Sequence, residues 1–238
     1  EAAFRAWIKA DPAREAQYGP ALAELDKLVA DGNAEALADA KRGMLGRGQL
    51  YAAARQLYRW ANEQAKPDKQ REPGYQERDR AFMTQGMQRI ERRYVAEIDK
   101  AIWEDGIAEY RTLPAEQRSA SFDAFMEGRD LASFYSATEL GNTAKRMEWM
   151  GKTPADFKAS SDPFIQLAVA TYDEAMATEA EEKARSGEVQ KARSKVMEAR
   201  LAYAASQGKT MYPDANGSLR FTYGKVTGKK VDGQIWTP

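Results

Sequence analysis

The run Met211-Tyr-Pro-Asp-Ala-Asn-Gly-Ser-Leu-Arg-Phe-Thr-Tyr-Gly-Lys-Val226 is the one place where a chain otherwise written in helical code turns into strand code. Tyr212-Pro213-Asp214-Ala215-Asn216-Gly217 is dense in turn formers. Proline fixes its φ and Asn-Gly accepts positive φ, so a chain reversal is predicted there. Leu219, Phe221 and Tyr223 then alternate with Arg220, Thr222 and Gly224, which places the large apolar groups on one face of a half-buried strand. A lone strand leaves its backbone donors and acceptors unpaired. This one must therefore belong to a sheet whose other members are scarcely present in 238 residues. Asp214 and Asn216 read as turn-makers, not catalysts.

Upstream, Glu1 to about Gly208 reads as helices punctuated by turns, with Ala, Glu, Lys, Arg, Gln, Leu and Met filling their interiors. A first helix ends near Ala10, and Asp11-Pro12 restarts the chain as N-cap and first helical residue. A second helix follows Gly19-Pro20 and stops at Gly32. Asn33 caps a third through Ala65, with Leu37, Met44, Tyr51, Leu57 and Tyr58 as its stripe and a kink plausible at Gly43, Gly46 and Gly48. Lys66 to Gly74, with Pro67 and Pro73, is an exposed loop. A long fourth helix is predicted from about Gln76 to Leu113, with Met83, Met87, Ile90, Tyr94, Ile98 and Ile102 on one face. Pro114 resets the chain, and shorter pieces carrying Phe122, Phe125, Met126, Leu131, Phe134 and Leu140 lead to Gly141-Asn142. Thr153-Pro-Ala-Asp156 resembles a capping box. Asp162-Pro163 opens a last helix of some 43 residues, roughly 65 Å if unbroken, which Gly187 could interrupt. Ile165, Val169, Tyr172 and Met176 lie on it at helical spacing, and Val189, Val196 and Tyr203 follow one heptad apart. The fold class is mainly α, a long-helix bundle with a short C-terminal β segment.

Composition sets the limits. With 43% hydrophobic and 30% charged residues the chain can bury a real core. Thirty-six basic residues balance thirty-six acidic ones, so no global field draws it to nucleic acid or an anionic membrane. No stretch approaches a membrane span; the longest clean apolar run, Ile165 to Ala170, is broken by Gln166. The chain opens at Glu1 with neither an initiator Met nor a signal-peptide pattern, which points to a processed product or a piece of something longer. There is no Cys and no His. Disulfides, thiol chemistry and thiolate zinc sites are therefore excluded, and a Ser-His-Asp triad or a Glu-x-x-His di-iron site cannot be assembled. No cofactor and no metal are expected.

Several constellations invite a chemical reading. Asp173/Glu174 and Glu179/Glu181/Glu182 could supply an acid and a base, yet they share a helix with Lys183 and Arg185 and read as a solvated face. Ser206-x-x-Lys209 matches a Ser-Lys dyad without its companion motifs. Gly43-Met-Leu-Gly46-Arg-Gly48, near Arg42, lacks the preceding strand of a phosphate loop and reads as a helix kink or a close helix contact. Arg78, Arg80, Arg89, Arg92 and Arg93 form a basic face beside Tyr75 and Tyr94, but Glu77, Asp79 and Glu91 interleave and argue against nucleic-acid binding. The nine methionines are read as gap-fillers. Trp149, with Met147 and Met150, is the best candidate for an exposed contact surface.

Tyr212 to Gly224 resembles the Tyr-Pro-Asp-Ala-Asn-x-x-Leu-Arg-x-Thr-Tyr-Gly run of the bacterial dipeptidyl-peptidase seven and eleven family of serine peptidases. Ser161-Asp-Pro-Phe-Ile-Gln-Leu-Ala168 is similar to that family's Asp-Pro helix start, and Phe4-Arg-Ala-Trp7-Ile8 followed by Tyr18-Gly19-Pro20 to its helical region. The resemblance implies periplasmic or surface aminopeptidases, dimeric, that release dipeptides from free peptide N-termini. It also implies a chymotrypsin-like double β-barrel with an inserted helical domain. The triad motifs of that family do not occur here, so no catalytic residue is carried over and substrate contacts stay unassigned. On this reading residues 1–208 are the helical cap and 209–238 return to a catalytic β-barrel lying mostly outside this chain. Its partners are peptide substrates with a free N-terminus, the remainder of its own polypeptide and a second copy, with no nucleic acid. The function implied is gating of substrate in a hydrolase that degrades peptides, the segment alone being inert. The competing reading is a non-enzymatic scaffold whose C-terminal strands pair with a partner.

Overall fold

In the computed structural model, residues 1–211 and 223–236 are described. They fall into two compact units, residues 1–19 with 195–238 and residues 20–194. The helices are α1 (Ala2–Lys9), α2 (Pro12–Gly43), α3 (Gln49–Gln64), α4 (Arg80–Arg89), α5 (Ala96–Arg111) and α6 (Ala120–Met126). They continue as α7 (Leu131–Ala137), α8 (Thr143–Trp149), α9 (Pro154–Lys158), α10 (Pro163–Ala170) and α11 (Tyr172–Ser206). Among the described residues the only strands are β1 (Lys229–Val231) and β2 (Gln234–Trp236), so the mainly α reading holds. No helix among them is long and apolar enough to cross a membrane.

In the first unit, Phe4 and Ile8 of α1 are buried. The Phe4 and Trp7 rings lie 5.6 and 5.4 Å from the Tyr203 ring, and the Arg14 and Arg200 guanidiniums cover Trp7 and Phe4. β1 and β2 pair antiparallel with Lys230 opposite Ile235. Asp232 and Gly233 both have positive φ, 53° and 81°. Such a turn matches the right-handed twist of a hairpin, and Asp-Gly supplies it at low cost. The turn at Tyr212–Gly217 and the strand positions Leu219 and Phe221 lie outside the described residues; Tyr223 and Gly224, at the end of that run, are exposed and not in a strand.

The second unit is built around α3. Leu50, Tyr51, Ala53, Ala54, Leu57, Tyr58, Trp60 and Ala61 are all buried, more than one stripe of the helix, so neighbours must cover it on several sides. One cover is α10, whose Phe164, Ile165, Leu167 and Ala168 are buried. Others come from α9 and α8, and Trp103 of α5 closes the start of the helix. Gly48 allows that closure, since a Cβ there would stand 2.9 Å from the Trp103 ring. The Trp103 indole N–H donates to the Leu45 carbonyl at 3.1 Å. Asp99, also on α5 and buried, accepts the Gln49 amide at 2.5 Å and the Leu50 amide at 3.3 Å, with the Tyr135 hydroxyl donating to it at 3.0 Å. Gly48 offers α3 no side-chain cap, and the cap comes from α5 instead.

Several sequence boundaries are corrected here. The break at Gly19-Pro20, the stop at Gly32 and the cap at Asn33 do not occur, because α2 runs through all of them. Pro20 withholds one N–H, but Ala16 and Pro20 are exposed and water can take the freed carbonyl. The kink expected at Gly43, Gly46 and Gly48 is present as a 3₁₀ turn over Met44–Arg47, but Leu37 of the expected stripe is exposed. The fourth helix breaks at Ile90–Val95, where no Gly or Pro marks the place. Buried Arg146 donates from Nε to the Met87 carbonyl at 2.9 Å, an acceptor that a continuing helix would use, and from Nη1 to Leu140 O at 2.6 Å. The break rephases α5, so Asp99, Trp103, Ile107 and Tyr110 face inward while Ile98 and Ile102 are exposed. The last helix is interrupted at Thr171, not at Gly187. The Thr171 hydroxyl bonds to the Leu167 carbonyl one turn back at 2.8 Å, a bond that competes with the backbone ladder.

Apart from Asn33, the local capping signals hold. The Asp11 carboxylate accepts the Ala13 and Arg14 amides, Asp162 accepts those of Phe164 and Ile165, and Thr153 with Asp156 forms the reciprocal box. Gly106→Ala distinguishes packing from propensity. Alanine in a helix interior ordinarily gains about 1 kcal/mol over glycine, but a Cβ at Gly106 would stand 2.6 Å from the Met44 carbonyl oxygen. We expect a net loss of about 2 kcal/mol in urea unfolding, the sign set by backbone overpacking.

Candidate functional site

A groove of the second unit lies between the exposed edge of α3 and the α10–α11 junction. Two adjoining cavities of about 270 and 360 Å³ share Arg55, Thr171, Ala175, Met176 and Glu179. Thr171, at the α10–α11 junction, lines both cavities, and its hydroxyl lies 3.0 Å from that of Tyr51. Tyr75 enters from the loop after α3, and Tyr172 packs edge-on against Tyr58 at 4.8 Å. Burial pushes the Tyr172 hydroxyl up to about 12, and raises those of Tyr51 and Tyr75. All three therefore stay protonated as hydrogen-bond donors at neutral pH.

The charges of the groove are mostly committed. Arg59 Nε lies 3.1 Å from Glu63, its two Nη groups donate to Glu179 at 3.2 and 3.3 Å, and its guanidinium sits over the Tyr75 ring at 5.6 Å. Glu63 also takes Lys66 at 2.8 Å and the Glu72 amide at 3.0 Å. Lys183 then joins Glu72 and Glu179 at 2.9 and 2.7 Å. Burial pushes the Glu63 carboxyl up, but the Lys66 hydrogen bond, the Glu72 amide and the Arg59 charge outweigh it and hold it below its ordinary 4.5. Its contribution to stability is complete above the unfolded value and is lost as pH falls through the lower folded one. Arg55 differs. Its guanidinium stands over the Tyr51 ring at 5.7 Å, lines both cavities and has no carboxylate partner among the described residues. It can offer its donor fork to a carboxylate or to peptide carbonyls.

The other residues singled out by sequence do not assemble into acid-base machinery. Asp173, Glu181 and Glu182 are exposed, while Glu174 accepts the Ser121 amide at 2.8 Å near the start of α6. The Ser206 hydroxyl donates to the Tyr203 carbonyl at 2.7 Å, and no bond joins it to Lys209. Of the Gly43–Gly48 glycines only Gly48 serves close packing, on Trp103; Gly46 meets the end of Arg55 at ordinary contact distance and Gly43 has nothing within 4 Å. Trp149 is not an exposed contact surface: its ring packs at 4.7 Å on Phe157, and Met147 and Met150 pack on the core. Arg80 pairs with Glu77 at 2.6 Å and Arg78 weakly with Asp79 at 3.9 Å, whereas Arg89, Arg92 and Arg93 have no ion pair among the described residues. Arg55 went unnoticed in the sequence because its availability is a matter of what its neighbours bind. Glu179→Gln removes the outer partner of the largely buried Arg59, and a loss of about 1 kcal/mol in thermal or urea unfolding is expected, Glu179 being partly screened by water. Lys183→Met, on a fully solvated ammonium, should leave stability nearly unchanged.

The peptidase S46 family matches residues 1–238. An Asp/Glu-specific dipeptidyl-peptidase of Shewanella putrefaciens (strain CN-32) is 36% identical over 233 residues, covering 94% of this chain and 31% of that protein. The chain thus spans about a third of the relative's length. The match and the identity agree with the resemblance carried by Tyr212–Gly224 and Ser161–Ala168, and the chain belongs to the peptidase S46 family.

Proposed function

We propose that this chain is the helical, substrate-gating segment of a serine-type dipeptidyl aminopeptidase, with the catalytic triad supplied by polypeptide outside it. The observation that carries the reading is the S46 match along the whole chain in a sequence that contains no His. A peptidase of the serine type needs a general base that these residues do not provide. Residues 1–208 form the helical cap, and 209–238, with the β1–β2 hairpin, lead back toward a catalytic barrel. The complete protein acts in the periplasm or at the cell surface, as a dimer, on peptides with a free N-terminus. An enzyme that counts two residues must hold a free ammonium and block a longer chain, which calls for a wall across an otherwise open cleft. Stiff helices suit that wall, and closure over substrate excludes water and orients the scissile bond. The Arg55 groove is the candidate point at which the helices meet the peptide.

Two experiments follow. The chain purified alone should show no dipeptidyl turnover, while the complete protein with residues 1–208 replaced by a short bridge should lose strict dipeptide release. Turnover that tracks the isolated chain through purification, or unchanged dipeptide release after the replacement, overturns the assignment. Arg55→Gln in the complete protein should raise KM for peptide substrates severalfold at constant kcat, as loss of uniform binding does. An unchanged KM removes the groove from the substrate path.

A further inference from the structure

Three guanidiniums stand together, none of them ion-paired among the described residues, where α4 gives way to the 3₁₀ turn Ile90–Arg92. Arg89, Arg92 and Arg93 are spaced three and four residues apart, which places them on one side of that helix end. All three are exposed, and none is ion-paired among the described residues, whereas Arg42, Arg59, Arg71, Arg80, Arg118 and Arg185 each are. The acids near them in the sequence have hydrogen-bond or ion-pair partners of their own. Glu77 holds Arg80 and faces Arg71, Asp79 accepts the Gly74 and Gln76 amides at 3.1 Å, and Glu91 accepts from the Thr143 hydroxyl at 3.1 Å. Of these acids only Glu91 stays beside the cluster, lining a concavity with Arg89 and Arg92 without coming within ion-pair distance among the described residues.

Apolar surface adjoins these charges. Phe82 is 71% exposed with the Arg89 guanidinium 5.6 Å over its ring, and Ile90 is half-buried. Arg89, Arg92, Arg93, Ile90, Gln49 and Gly86 line a concavity of about 340 Å³, and a neighbouring one of about 280 Å³ extends along Phe82 and Met87. Gly86 has no heavy atom of another group within 4 Å of the place a side chain would occupy, which leaves the floor open.

We propose that this face docks an acidic peptide segment, two or three carboxylates with an apolar side chain among them. Guanidinium forks match carboxylates in bidentate geometry, and Phe82 with Ile90 offers the apolar contact that isolated charges lack. The patch is too small for a polyanion. Three charges on a chain whose 36 basic and 36 acidic residues balance fit a short segment better than a nucleic acid or an extended lipid surface. The proposal stands apart from the gating reading, because it concerns a surface bounded by α4 and its 3₁₀ turn and needs no catalysis.

The test is fluorescence anisotropy on the whole chain at low salt. The probe is a dye-labelled Glu-Glu-Phe-Glu peptide blocked at both ends, so it has no free N-terminus to be cleaved and its behaviour is independent of aminopeptidase activity. Binding should weaken tenfold or more in Arg89→Gln/Arg92→Gln/Arg93→Gln and fall in 0.5 M salt through screening, and the Lys-Lys-Phe-Lys counterpart should not bind. The triple Lys variant keeps the charge without the fork and should lie between; it serves in place of the Gln variant if circular dichroism shows that one to be misfolded. Equal affinity in wild type and triple Gln variant, or no binding by wild type, overturns the proposal. Arginine-dependent capture of phosphatidylglycerol vesicles without peptide binding overturns it in favour of a lipid surface.

Discussion

The start of α3 is capped by a carboxylate that arrives from 50 residues downstream, and the arrangement of the second unit depends on it. Gly48 cannot cap the helix because it has no side chain, yet it must be glycine because Trp103 occupies the space a Cβ would need. Asp99 resolves the conflict: one buried acid satisfies two orphan amides and the Tyr135 hydroxyl at once. A buried carboxylate survives only with such donors around it. Bringing Asp99 inward fixes the rotation of α5, and that rotation sets Trp103 against the Phe134 and Phe164 rings at 5.6 and 5.1 Å. With α10 docked on α3, the α10–α11 junction at Thr171 comes to line the groove beside Arg55.

Charge is distributed with the same economy. Arg59, Glu63, Lys66, Glu72, Glu179 and Lys183 form one chain of contacts from α3 through the following loop to α11. Its inner members are shielded and its outer ones wet, so it contributes more to holding the groove's shape than to net stability. Outside this committed network, Arg55, Arg89, Arg92 and Arg93 are among the arginines with no ion pair among the described residues. Arg55 faces a cleft and Arg89, Arg92 and Arg93 face an open shelf, and each is placed to meet an anion or a carbonyl the chain itself does not supply.

Much of the fold was legible because its signals are local. Asp11, Asp162 and the Thr153–Asp156 pair cap helices through amides two or three residues away, and a reader of the sequence has everything those bonds require. Pro20 and Gly32 misled because both are tolerated in a helix side that faces water, where the loss of a donor or of propensity is small. The break at Ile90–Val95 was invisible for the opposite reason. Its cause is Arg146, which takes the Met87 carbonyl from 59 residues away. The exposed stripe Ile98–Ile102 was read as core because hydrophobicity gives a period but not a phase, and the phase was set by Asp99. At the candidate sites, residue types could be counted but partners could not: Glu77 and Asp79 pair with Arg80 and Arg78, while Arg89, Arg92 and Arg93 have no ion pair among the described residues.

The sequence by itself determined the helical class, the local caps, the absence of any triad and, through Tyr212–Gly224 and Ser161–Ala168, the family. These follow from composition, short-range geometry and motif identity, none of which needs a third dimension. Only the tertiary structure decided which face of α5 turns inward, where the long helices break, and which arginines remain without a partner. Each of those is settled by a hydrogen bond or ion pair between residues far apart in the chain, and such bonds exist only once the core has brought them within about 3 Å.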